Sequence, residues 1–251
     1  MTTFGAVSRA GLKVYIRDPA AVFFTFVFPL VFLVIFGLVF GSEHVGRGST
    51  TAVNYIAPGV LSWGMANAAL FGTAFTLMQW RRDDLLRLIR LTPARLIDLG
   101  SSRLAISLAI GLAQMILFVG VAKLPVFGLA TNPRWPLALP ILVLAVTAFL
   151  GLGVVVGNVA RTPESVAAIA NFIMVPMAFL SGAFVPLALM PSWIRGLSYA
   201  LPLRYAGDGL VYAFSGQGSA GAFGLDCLAL AAFAAAFAAV GVRTFRWSNE
   251  G

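Results

Sequence analysis

Long uncharged runs recur along the chain at Pro19 to Ser42, Gly48 to Trp80, Leu104 to Ala122, Trp135 to Ala160, Ser165 to Ile194 and Cys227 to Val242. All but the last reach or approach the ~20 residues that cross a ~30 Å hydrocarbon core. The last has 16 residues and gains length by taking in Asp226 near the headgroups. Backbone groups find no water partner in lipid, so each run is expected to be helical, and no barrel-type alternation is present. The pattern predicts an all-α integral membrane protein, one transmembrane domain over residues 1–251. Its six spans fall at about 20–41, 55–79, 100–123, 136–160, 164–185 and 222–242. The first span is too long and starts too far in to read as a cleavable signal peptide.

Between the spans the pattern changes. Residues 3–17 read as an amphipathic interfacial helix. Arg9, Lys13 and Arg17 form one basic stripe, with Phe4, Val7, Val14 and Tyr15 roughly opposite. Asp18-Pro19 turns the chain into span one, and Pro29 is placed to kink that span. The segment 81–103 is the largest polar stretch, with 81–91 predicted as a short amphipathic helix. Asp83 stands four residues before Arg87, the favourable order for a helical ion pair, and Leu85, Leu86 and Ile89 share an apolar face. Thr92-Pro93 marks a fresh helix start. Such a segment suits either a solvated connector or a docking element. Gly64, Ala68 and Gly72 share one face of span two, and Gly153 and Gly157 stand at GxxxG spacing in span four. Either pattern permits close helix approach, though the latter spacing arises easily in glycine-rich helices. Residues 186–221 are too apolar for a free loop and too broken by Pro186, Pro191 and Pro202 for a span. They read as short re-entrant or interfacial helices between spans five and six.

Composition and charge then set the orientation. The chain has 251 residues, 60% hydrophobic and 10% charged, with a net charge of +8. Soluble domains carry roughly a quarter of their residues charged. Placing both termini in the cytoplasm puts Arg9, Lys13, Arg17, Arg81, Arg82, Arg87, Arg90, Arg95, Arg103, Arg161, Arg243 and Arg246 inside. It leaves Arg47, Lys123, Arg134, Arg195 and Arg204 outside. Twelve against five is a positive-inside bias, so the basic balance points to a membrane and not to nucleic acid. Tyr15, Trp80 and Trp247 fall at the same inner boundaries, and Tyr55, Trp135, Trp193, Tyr199, Tyr205 and Tyr212 at the outer ones.

Candidate chemistry is sparse. The chain has no phosphate-binding GxxxxGK[ST] loop and only two lysines, Lys13 and Lys123. His44, the one histidine, reads as a solvated loop residue, and Cys227 is the one cysteine, so no metal site or intrachain disulfide is expected. Asp83, Asp84 and Asp98 cluster near the predicted cytoplasmic face among arginines, where they neutralise surface charge. Asn67, Gln114 and Asn171 are polar groups near mid-depth. They suit interhelical hydrogen bonds or, alternatively, a cargo pathway. The spans hold no mid-membrane carboxylate of the kind a proton-coupled carrier uses.

Three segments resemble the type-2 ABC transporter permeases, the branch that includes drug and polysaccharide exporters. Arg17-Asp18-Pro19 after the amphipathic helix is similar to that family's elbow helix and its exit. Leu85-Leu86-Arg87-Leu88-Ile89-Arg90-Leu91-Thr92-Pro93 resembles the loop where a coupling helix docks on the ATPase. Phe179-Leu180-Ser181-Gly182-Ala183-Phe184-Val185-Pro186, followed by Met190-Pro191-Ser192-Trp193 and Leu201-Pro202-Leu203, resembles the signature after span five, and Asp208 falls where the family usually has an acid. The resemblance implies one half of a dimeric exporter in the bacterial cytoplasmic (inner) membrane, paired with a second copy or a paralogous permease. Asp83, Leu85, Leu86, Arg87, Ile89 and Arg90 would dock a separate ATPase, which would hold ATP and Mg, with no cofactor in this chain. Ser181, Gly182, Pro186, Pro191, Trp193, Pro202 and Asp208 would form the outer signature segment. An integral-membrane lipid-modifying enzyme using the aspartates of 83–98, or a secondary carrier, are the competing expectations.

Overall fold

The computed structural model describes residues 3–40, 53–85, 96–127, 129 and 132–245. No strand occurs among them, and six of their helical segments are long and apolar enough to cross a membrane. That is the all-helical, six-span architecture the run lengths predict.

Helix α1 (Thr3–Arg17) ends where the Asp18 carboxylate accepts the backbone N–H groups of Ala20 and Ala21, both at 3.0 Å, and Pro19 opens the next helix. The first span is α2 (Pro19–Val22), a π-helical turn (Phe23–Val27) and α3 (Phe28–Phe40) end to end. Pro29 explains the π turn. Its ring crowds the preceding turn and it has no N–H to return to the Thr25 carbonyl, so the ladder widens just before it.

The spans that follow are α4 (Val53–Arg82), α5 (Leu96–Ala122), α6 (Ala138–Val159) and α7 (Pro163–Leu180). A 3-10 turn at Trp135–Leu137 leads into α6. The chain then makes a 3-10 turn (Leu187–Leu189), α8 (Ser192–Ser198) and α9 (Pro202–Ser215) before the last span, α10 (Ala220–Arg243).

Helices α4 and α6 form the central pair, and α3, α5, α7, α9 and α10 pack around them. In lipid there is little hydrophobic drive between helices, so backbone proximity and fitted side chains must hold them together. The 153/157 glycines do this. A methyl group on Gly153 would lie 2.6 Å from the Leu70 carbonyl oxygen, and one on Gly157 3.0 Å from that of Ala74. The stripe on α4 has a different use. Methyl groups at Gly64 and Gly72 would strike the Gln114 amide and the Arg103 guanidinium, so these glycines make room for polar side chains of α5 and not for its backbone.

Helix α1 lies along α5, with Gly11 against Ile106, while Leu12, Val14 and Ile16 are exposed. The fifth long helix stops at Leu180, before the 185 expected from hydropathy, because Gly182 takes a left-handed backbone (φ +87°). The last span takes in Asp226 as expected, and its side chain is buried within α10's packing.

Candidate functional site

The predicted docking segment falls largely outside the described residues, which exclude Leu86, Arg87, Ile89 and Arg90 and with them the Asp83–Arg87 pair. Arg81 and Arg82 belong to α4 and not to a new helix. The turn that ends α4 has Asp84 in the left-handed region (φ 52°), a stop signal that restricts any following helix to Leu85 onward. Asp83, Asp84 and Leu85 are all exposed. Glu43, His44 and Arg47 also lie outside the described residues, as does Thr92-Pro93.

Arg81 is not a solvated basic residue. It is buried, donating to the Asn158 carbonyl at 2.8 Å and reaching the Ala160 carbonyl at 3.5 Å, which places its charge on the C-terminal carbonyls of α6. Asn158 in turn donates to the Gly241 carbonyl (3.0 Å) and Thr244 Oγ1 (3.1 Å), joining α4, α6 and α10 at one end of the bundle. Neither residue stood out in the sequence. The signal was available only as an asparagine at the end of an otherwise apolar span.

The three mid-depth polar residues are not brought together. Asn67 donates to the Trp63 carbonyl of its own helix at 2.9 Å. Gln114 is fully buried and its Nε2 donates to the Thr25 carbonyl at 2.9 Å, the acceptor that Pro29 leaves without an N–H. Its Oε1 is buried with no partner among the described residues. Asn171 is on the exposed face of α7, next to Phe172 at 82% exposure.

The signature segment forms a compact plug at the opposite end from Arg81. Tyr55, at the start of α4, donates to the Gly182 carbonyl at 2.9 Å, and a methyl on Gly59 would strike the Ala183 carbonyl. Ser181 is buried, and Phe184 sits in an aromatic cluster, stacked on Phe32 at 5.5 Å and edge-on to Trp63 at 5.2 Å. Such contacts add about 0.5–1.5 kcal/mol each beyond area burial. Pro186 and Pro191 bracket the 3-10 turn, Trp193 is exposed on α8, and Pro202 is the first residue of α9.

Asp208 completes this end. Arg204 pairs with it one turn away at 3.4 Å, lies 3.7 Å from the Tyr199 ring centroid, and donates to Ser198 Oγ and the Arg195 carbonyl. Burial pushes the Asp208 carboxyl above its ordinary range, opposed by the Arg204 guanidinium. Arg204 and Asp208, together with Tyr199, Tyr205, Tyr212 and Asp226, line an open cleft of about 380 Å³ between α9 and α10. No cluster of three or more metal-ligating side chains occurs among the described residues.

Six long apolar helices, a buried polar tie at one end and a turn-rich plug at the other define a multi-pass helical membrane protein. The family model for the ABC-2 type transporter matches residues 2–215, and the chain belongs to that family. Among its relatives, the inner membrane transport permease YadH of Escherichia coli (strain K12) is 26% identical over 191 residues, covering 74% of this chain and 72% of the relative. The putative transport permease ycf38 of Porphyra purpurea is 29% identical over 219 residues, 83% of this chain and 72% of the relative. Nodulation protein J of Sinorhizobium fredii (strain NBRC 101917 / NGR234) is 29% identical over 177 residues, 68% of this chain and 66% of the relative. The protein is thus a membrane permease subunit of an ABC transporter, a family that works with an ABC ATPase.

Proposed function

We propose that this permease exports a hydrophobic or amphipathic cargo, a drug, lipid or glycan, by alternating access driven by a separate ATPase subunit. Both chain ends face the cytoplasm on this reading, as the positive-inside bias requires. The observation that carries the docking role is the way α4 ends. The helix leaves the bundle at Arg82, turns through the exposed Asp83-Asp84 pair and presents Leu85 to solvent. The sequence beyond it supplies further apolar and basic residues for a partner. The chain's own sequence has no P-loop, so ATP and Mg belong in the partner.

A second permease is supported by α7. An amide exposed to lipid is costly. The side-chain amide of Asn171, on the outward face with Phe172 and Val175, makes no hydrogen bond among the described residues. Pro176 also has no N–H to give the Phe172 carbonyl on that same face. A mate packed there, a second copy or a paralogue, satisfies both and leaves the cargo path between the two halves.

Co-purification with the ATPase tests the reading. Buried aliphatic side chains contribute ~1.5–3 kcal/mol each, so Leu86→Asp with Ile89→Asp should release the ATPase and abolish coupled ATP hydrolysis while the spans still insert. An inserted double variant that keeps its partner and full coupled activity overturns the docking role. A wild-type chain that recruits no ATPase overturns the exporter reading in favour of a membrane enzyme.

A further inference from the structure

The charge count places Arg103 among the basic residues of the polar segment, but the structure folds its side chain against α4, half-buried. Its Nε is 3.5 Å from Thr73 Oγ1, and its guanidinium occupies the space left by Gly72. Thr73 is eight residues before Arg81, so this contact is about 12 Å along α4 from the Arg81 tie. Arg103 itself is seven residues into α5, about 10 Å from the end of that helix. Among the described residues it forms no ion pair. Asp98, on its own helix, is not a partner, and the Thr73 contact is at the outer limit of a hydrogen bond. A cation held this far along a membrane helix with no counter-ion among the described residues calls for one.

The surroundings indicate what kind. Helices α5 and α10 each pack on α6 but make little contact with one another. The gap between them is a cleft of about 630 Å³, floored by α4 and α6, with Arg103 on one wall. Leu77, Leu104, Leu150, Val154, Val242 and Phe245 make most of the lining apolar. The hydroxyls of Thr76, Thr147 and Ser101 donate to carbonyls of their own helices, which leaves Arg103 as the charged donor. Trp80, at the Arg81 end of the cleft, donates no indole hydrogen bond among the described residues. A long apolar trough with a single cation matches an amphiphile with one anionic head and an acyl chain. A small inorganic anion would leave most of the trough empty.

We propose that this cleft binds an anionic phospholipid from the leaflet at the Arg81 end, its phosphate on the Arg103 guanidinium and an acyl chain along the α5–α10 gap. On the topology proposed above this is the cytoplasmic leaflet, but the assignment of the site does not depend on sidedness or on the cargo. The lipid serves as a bound counter-ion that fills the gap between two helices which do not otherwise meet. The cleft is separate from the α7 face and from the Gln114–Thr25 contact.

The test uses the full-length protein in nanodiscs of phosphatidylcholine with an equal fraction of phosphatidylglycerol, and measures by native mass spectrometry which lipids remain bound. Wild type retains phosphatidylglycerol in preference to phosphatidylcholine. Arg103→Gln should lose that preference by about tenfold, the scale of one charge-assisted hydrogen bond. Arg103→Lys keeps most of it. Thr147→Trp, which keeps the charge and fills the trough, should also lose it and guards against misfolding of the Arg103 variants. Arg82→Gln and Arg243→Gln, outside the cleft, leave it intact. Equal phosphatidylglycerol retention by wild type, Arg103→Gln and Thr147→Trp overturns the proposal. So does displacement of the retained lipid by millimolar inorganic phosphate, which would make the site one for a free anion.

Discussion

The bundle holds an arginine in a cleft near each end, and the two are stabilised by different means. At the signature end, Arg204 has an acid one turn away, an aromatic ring beneath it and two oxygen acceptors. At the other, Arg103 has one distant hydroxyl and a mostly apolar trough. The first cation is complete within its own chain, and its cleft contains a second carboxylate, Asp226, that accepts no hydrogen bond among the described residues. The second has no ion-pair partner among the described residues. An arginine with a full set of intramolecular partners contributes to stability, whereas an unpaired one inside a membrane helix weakens it until something outside the chain supplies the counter-charge.

The sharpest way to break this contrast is to remove each cation and follow thermal unfolding in a zwitterionic detergent. Arg204→Ala loses stacking and two hydrogen bonds. The ion pair itself adds under about 1 kcal/mol because the Asp208 side chain is 39% exposed. The expected total is about 2 kcal/mol, a fall in Tm of about 4–8 °C for a chain of this size. Arg103→Met should move the other way, leaving Tm unchanged or raising it by the equivalent of up to about 1 kcal/mol, since a half-buried charge with no ion pair among the described residues is replaced by an apolar side chain. A loss as large as that of Arg204→Ala would show that Arg103 is already satisfied within the chain. The smallest effect is expected at Asp226→Asn. Removing the second carboxylate beside Asp208 should raise stability by about 0.5 kcal/mol, and a clear destabilisation would mean that Asp226 is needed by a partner of its own.

The same contrast separates what was legible in the residues from what was not. Run lengths and prolines mark the spans because a bilayer enforces length and helicity on each segment independently. The glycines at 153 and 157 give the right contact type, and the partner, Leu70 to Ala74 of α4, appears only on folding. The Phe179–Pro186 segment was legible as a family signature, but its physical reason was not. Gly182 has to be left-handed so that Tyr55 can reach its carbonyl and Phe184 can enter the ring cluster. Asn67, Gln114 and Asn171 looked alike by depth. Direction around the helix axis divides them into a self-bonded residue, an interhelical tie and an exposed amide.

Sequence by itself determined the class of solvent, the helical backbone, the six spans and the family, because each follows from local hydropathy, proline and glycine placement or a contiguous motif. Only the tertiary structure decided the fates of the cations. Arg81, Arg103 and Arg204 each add one positive charge to the sequence, yet one caps α6, one lies over an apolar trough with no ion pair among the described residues and one is ion-paired on a tyrosine. Hydropathy records how much charge a segment carries. Whether that charge is met by a carbonyl, a carboxylate or a hydroxyl depends on which helices lie beside it and which faces they turn, and those are set by packing between segments distant in sequence.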